Sequence, residues 1–145
     1  TDLQFDGAGN WYASHLATHP TTESYADWRL VVGAEDDSVD PVVIDQIDDD
    51  YGAWALALHP NGIIYTAGGS YPVEEGVGYG IVRAGTAADG FADVLQTAPD
   101  TEGNHSWSGD VIVDAEGVVW ALEIEVDYAN WEAPSATRLH RLSCR

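Results

Sequence analysis

Three copies of one short phrase set the terms for this chain: Asp6-Gly7-Ala8-Gly9-Asn10-Trp11-Tyr12, His59-Pro60-Asn61-Gly62-Ile63-Ile64-Tyr65 and Asp114-Ala115-Glu116-Gly117-Val118-Val119-Trp120. Each glycine closes a four-residue turn and is followed three places on by an aromatic residue, with 53 residues from Gly9 to Gly62 and 55 from Gly62 to Gly117. A period of that length signals a repeat architecture, and a β-propeller blade fits it best. A glycine suits the turn because it takes positive φ without a Cβ clash, and the Asp, Pro or Asn before it favours turn conformations.

The repeat extends beyond the turn. Hydrophobic stretches precede it (Leu3 to Phe5, Trp54 to Leu58, Val111 to Val113), and β-prone stretches follow (Trp11 to His15, Ile63 to Ala67, Val118 to Glu125). An arginine stands 20 to 24 residues after each glycine, in Trp28-Arg29-Leu30, Val82-Arg83-Ala84 and His140-Arg141-Leu142. A fourth stretch follows the first two, at Val42 to Ile44 and Phe91 to Leu95. This order predicts an all-β, propeller-like fold of about three four-stranded antiparallel blades, a partial or half propeller, in repeats of roughly 1–47, 48–100 and 101–145. The third repeat reaches Arg145 where its fourth strand would begin. Val, Ile, Trp and Tyr dominate the runs while Gly, Asp, Pro and Ser fill the gaps, so no long helix is expected, and no apolar run is long enough to span a bilayer.

Charge is the second constraint. Twenty-five acids face five arginines and no lysine, a formal net charge of -20 on 145 residues. Such a surface repels nucleic-acid phosphates and anionic membranes, which excludes both as expected partners. Salt or a bound divalent cation, calcium above all, would relieve the self-repulsion, as in a halophilic or marine protein; the plainer reading is a solubilising exterior. One cysteine, Cys144, leaves no intrachain disulfide. The sequence begins without Met, a basic leader or a signal-like apolar segment, so a processed product of secreted or cell-surface origin is expected. Asn104-His105-Ser106 matches a glycosylation sequon.

The segments Ala57–Gly69, Val111–Glu123 and Gly80–Leu95 resemble the blade repeats of the NHL, SMP-30/gluconolactonase and streptogramin-lyase-like propellers. The resemblance implies a fold more than a function, because that superfamily mixes lactonases, lyases, sensors and binding scaffolds. Its enzymes carry acidic or histidine residues at the channel mouth, often around a divalent metal, and no complete signature of that kind is present here.

In a propeller the start of the first strand and the end of the second meet at one mouth of the channel. The glycine register places Asp2, Ala55, Asp110, His15, Gly68 and Glu123 there. His15, Asp110 and Glu123 form a candidate set for a divalent ion or for acid–base work; the alternative is polar strand ends. Asp48 and Asp50, in the acidic loop from Asp45 to Gly52, are candidate oxygen ligands for calcium, although no glutamate stands eleven residues after Asp45 or Asp48 as an EF-hand requires. The alternative is a solvated acidic loop. Trp107, Trp131, Tyr128 and His105 fall in expected mouth-side loops, where aromatic faces beside polar groups could stack on a sugar, grip a peptide or pack the loops. Trp120 is expected between blades, Trp28 in a structural role beside its arginine, and the arginines in pairs with nearby acids. There is no Gly-x-Ser-x-Gly and no His-Glu-x-x-His. Two functions follow: a non-catalytic module binding a partner, a glycan or another copy of itself, as a homo-oligomer or as part of a longer propeller; or a metal-dependent hydrolase or lyase.

Overall fold

The computed structural model describes residues 2–18, 26–36, 40–47, 51–71, 76–127 and 134–142. They form eleven strands and no helix: β1 (Asp2–Phe5), β2 (Asn10–Thr18), β3 (Ala26–Ala34), β4 (Val42–Ile47), β5 (Tyr51–Leu58), β6 (Ile64–Ser70), β7 (Tyr79–Thr86), β8 (Gly90–Thr97), β9 (Asn104–Val113), β10 (Val119–Asp127) and β11 (Pro134–Leu142). Each repeat is one antiparallel meander. Sheet 1 has the order β1-β2-β3-β4, sheet 2 β5-β6-β7-β8 and sheet 3 β9-β10-β11. The chain is therefore all-β, with three propeller-like blades.

The three turns explain the repeated phrase. Gly9, Gly62 and Gly117 hold φ of 86°, 90° and 78°, a region that costs a side chain through the Cβ–carbonyl clash. In the outer two turns an aspartate three residues before the glycine organises everything after it. Asp6 accepts from the Ala8 and Asn10 amides at 2.8 and 2.9 Å and from the Tyr12 hydroxyl at 3.3 Å. Asp114 accepts from the Glu116 and Val118 amides at 3.0 and 2.8 Å and from the Trp120 indole N–H at 2.8 Å. In the middle turn His59 takes the aspartate's place, its ring 6.4 Å from that of Tyr65, and its Nε2 lies 2.9 Å from the Gly117 carbonyl of the next turn. The aromatic residue is thus the far end of a side-chain clasp on the turn.

Sheets stack face to face, with period-two alternation deciding what each face meets. Leu30, Leu56 and Ile64, joined by Tyr12, Ile44 and Phe91, fill the space between sheets 1 and 2. Ala55, Tyr65, Ala67, Val82, Val111 and Val119 belong to the cluster between sheets 2 and 3. Trp28, expected to be structural, is fully buried against Ala53 and Ile81.

Arg29 and Arg83 are paired with acids, and the three repeated arginines are not equivalent. Arg29 bonds Asp27 at 3.0 Å. Arg83 reaches across from sheet 2 to take both oxygens of Asp45 on β4, at 2.8 and 3.1 Å, and bonds Asp93 at 2.7 Å. Register separates the three: Arg29 lies opposite His15, Arg83 opposite Thr66 and Arg141 opposite Trp120, which are six, four and three residues after their turn glycines. Arg138, opposite Glu123, is the structural counterpart of Arg29.

Candidate functional site

β9 carries the two most elaborate side-chain groups in the molecule, one on each face. Asn104, Ser106 and Ser108 alternate with His105 and Trp107, and the strand pairs with β10 as far as Asp127. His105 and Trp107 are therefore strand residues rather than the loop residues the sequence predicts, because the β9–β10 ladder runs past the hydrophobic stretch into the polar residues before it.

On one face lies a row of aromatic rings. Tyr71 stands 5.2 Å from His105, His105 6.2 Å from Trp107 in a stacked arrangement, and Trp107 5.9 Å from Trp54. Glycines make the bed: a Cβ at Gly69 would collide with the Trp107 indole, and one at Gly78 would crowd both His105 and Trp107. His105 is buried, and its Nδ1 accepts the Gly78 amide at 2.8 Å, which puts the proton of the neutral ring on Nε2. Burial lowers its pKa, so the ring stays neutral at physiological pH. Trp54, Trp107 and Tyr71 keep part of their surface exposed. A row of partly exposed aromatic faces beside an uncharged imidazole suits stacking on a sugar or a peptide side chain.

On the other face lies a buried ionic network. Glu123 and Glu125 face sheet 2 with side chains 3% and 2% exposed. Glu123 accepts from Ser106 Oγ at 2.8 Å and Arg138 Nη1 at 3.2 Å, and its other oxygen lies 2.7 Å from His140 Nε2. Glu125 accepts from Asn104 Nδ2 at 2.8 Å, the Thr101 amide at 3.1 Å and Arg138 Nη2 at 3.1 Å. Arg138 also bonds the exposed Asp100 at 2.7 Å. The Asn104 amide, aided by Arg138 and the Thr101 and Asp100 amides, outweighs desolvation and holds the Glu125 carboxyl at about 2. Both carboxylates have donors on both oxygens.

This wiring does not make a hydrolytic triad. In that device the imidazole touches the hydroxyl it deprotonates. Here the carboxylate of Glu123 stands between Ser106 and His140, and Ser106 is engaged on its other side by Thr97 at 2.7 Å. Asn104 is buried with its amide committed to Glu125, so a glycan on the sequon would break the network.

Of the sequence-predicted residues, His105 and Trp107 come together. His15, Asp110 and Glu123 do not: His15 and Glu123 hold the same repeat position on sheets 1 and 3, with sheet 2 between them, and alternation turns Asp110 to the opposite face of sheet 3 from Glu123. His15 lies on the face of sheet 1 turned away from sheet 2, Glu123 faces sheet 2 from sheet 3, and Asp110, exposed, lies on the outer face of sheet 3 opposite Leu122. Among the described residues no group of three His, Cys, Asp or Glu side chains is placed to hold a metal ion. Asp48, Asp50, Tyr128 and Trp131 lie outside the described residues. Sequence reasoning missed Glu125, Arg138 and His140, although Glu123-x-Glu125 and Arg138-x-His140 show the complementary period-two alternation of facing strands.

The geometry defines an all-β arc of three blades with an aromatic row and a saturated ion network at the head of β9. No known family model and no curated protein matches the chain.

Proposed function

We propose that the protein is a non-catalytic assembly and binding module, which joins further blades through its two outer sheet faces and offers its aromatic row to a glycan or protein ligand. The observation that carries this is the place of Trp120. Its repeat equivalents are interfacial: Tyr12 packs between sheets 1 and 2, and Tyr65 is buried between sheets 2 and 3. Trp120, by alternation from the buried Val119 and Ala121, stands on the outer face of sheet 3, where the next sheet would lie. Ile112, opposite it, and Leu139 share that face and are 52% and 64% exposed. The outer face of sheet 1 is apolar as well, with Leu3 and Phe5 more than half exposed. Apolar sheet faces of this kind associate.

A second copy joined head to tail would bring the sheet 1 face onto the sheet 3 face and give six blades about a two-fold axis; further blades of a longer propeller would do the same. The resemblance to gluconolactonase-like blade repeats favours a ring in either form. The metal-dependent hydrolase or lyase reading finds no ligand set among the described residues. Light scattering at rising concentration tests the proposal: the protein should associate, and Phe5→Glu or Ile112→Glu should dissociate it without changing its circular dichroism. A folded chain that stays monomeric at high concentration would refute it.

A further inference from the structure

The aromatic row lies where β5 and β9 begin and β6 ends, wholly within sheets 2 and 3. Two of its members are aimed by the backbone. Trp54 is the extra residue of a β-bulge: Ala53 pairs with Gly68 and Ala55 with Ala67, which leaves Trp54 over. A bulge re-aims the side chain it carries. The Trp107 indole rests on Gly69 by its Cε3–Cζ3 edge, so the Nε1–H edge across the ring points away from Gly69.

These rings offer a ligand flat apolar faces and a few donors. Trp54, Trp107 and Tyr71 are partly exposed, and among the described residues their indole N–H groups and hydroxyl make no hydrogen bond. Polar tips of that kind take a partner when a ligand covers them. The backbone at this level is already committed. The Ser106 amide donates to the Gly78 carbonyl at 2.9 Å, and the Gly78 amide to His105 Nδ1 at 2.8 Å. A peptide joining as a strand needs such groups open. A sugar does not: a pyranose lays a C–H face on an aromatic ring and turns its hydroxyls to the N–H beside it. The rings follow one another at 5.2, 6.2 and 5.9 Å, steps comparable to the length of one sugar residue in an oligosaccharide. Charge removes the acidic sugars, because a chain of net charge -20 repels uronates and sulfates.

We propose that the row binds a neutral oligosaccharide, one sugar stacked on Trp54 and the next on Trp107, with hydroxyls accepting from the two indole N–H groups and Tyr71 holding the far end. This names the ligand of the binding-module reading and rests on it only for the row as the ligand site. It needs no assembly, because every member of the row stands on sheets 2 and 3 of one chain.

Affinity electrophoresis of the full chain in native gels tests this with four uncharged polysaccharides: hydroxyethylcellulose, xylan, galactomannan and dextran. At least one should retard the protein, and a tetrasaccharide of the same kind should bind saturably in calorimetry, while dextran sulfate should not retard it. Trp54→Ala should weaken binding about tenfold or more, and Tyr71→Phe, which removes only a hydroxyl, about threefold, both with unchanged circular dichroism. Four outcomes would overturn the proposal: no retardation in any of the four gels; equal binding by both variants; retardation by dextran sulfate; or displacement of the sugar by tetramethylammonium chloride at matched ionic strength, which would make the row a cation site. Phe5→Glu keeps the two readings apart. A Phe5→Glu monomer that is still retarded upholds the sugar site whatever becomes of face-to-face assembly, and a chain that assembles but passes every gel unretarded sinks the sugar site alone.

Discussion

Trp107 rests on Gly69: a Cβ at 69 would collide with Cε3 of the indole. Its neighbour Gly68 faces the other way, where a Cβ would meet the Gly52 carbonyl and, at 2.8 Å, the Trp28 ring. Two adjacent glycines on β6 thus admit a tryptophan from each flanking sheet, Trp28 from sheet 1 and Trp107 from sheet 3. The middle blade is thin at this level so that its neighbours can be thick.

Gly69→Ala should therefore destabilise the fold by about 1–3 kcal/mol, the usual cost of overpacking a tight site, and should change the tryptophan fluorescence as Trp107 is displaced. Gly62→Ala acts differently. Nothing lies within 4 Å of a Cβ there, but φ is +90°, so a loss of about 1–2 kcal/mol is expected from backbone strain with the fluorescence unchanged. Urea melts of both variants check this; a neutral Gly69→Ala would mean the indole does not sit on β6.

The Arg83–Asp45 pair is the bidentate link between sheets 1 and 2, with side chains 14% and 8% exposed. Desolvation disfavours the Arg83 charge, but hydrogen bonds and attraction to Asp45 and Asp93 outweigh it, so its pKa is raised. Lysine cannot reproduce the forked geometry. Arg83→Lys should cost about 1–3 kcal/mol, and a double-mutant cycle with Asp45→Asn should return a coupling of about 0.5 kcal/mol or more. Additive effects would show that the two side chains do not act together.

Acid should weaken sheet 3 through Glu125. Its carboxyl, near 4.5 when unfolded, titrates at about 2 in the fold. A depressed folded pKa gives stability that is full above 4.5 and is lost as pH falls through about 2. Glu125→Gln should be less stable than the parent at pH 7, and the gap should close between pH 4.5 and 2. A pH-independent gap in denaturant midpoints would contradict this assignment.

Salt should stabilise the whole. With a net charge of -20, self-repulsion opposes the compact state, and screening relieves it. The melting temperature should rise with NaCl; a further rise at micromolar CaCl₂, beyond what matched ionic strength gives, would mark site binding. A Tm flat from low to molar salt would count against any stabilising role for screening.

What the sequence determined by itself was local. Positive φ at Gly9, Gly62 and Gly117, the strands on either side and the four-strand order follow from sterics and period-two alternation, which act over a few residues. Which side chains meet was decided by tertiary structure, because register across a long connection is not a local property. The three arginines look equivalent in the chain, yet they oppose residues six, four and three places after their glycines. An odd shift turns a side chain to the other face. Hence Arg141 lies on the outer face while Arg138 enters the network of Glu123 and Glu125. The same parity parts Asp110 from Glu123, while His15 is parted from Glu123 by standing on another sheet, and the length of the β9 ladder, rather than any motif, carries His105 and Trp107 onto the glycine bed of sheet 2.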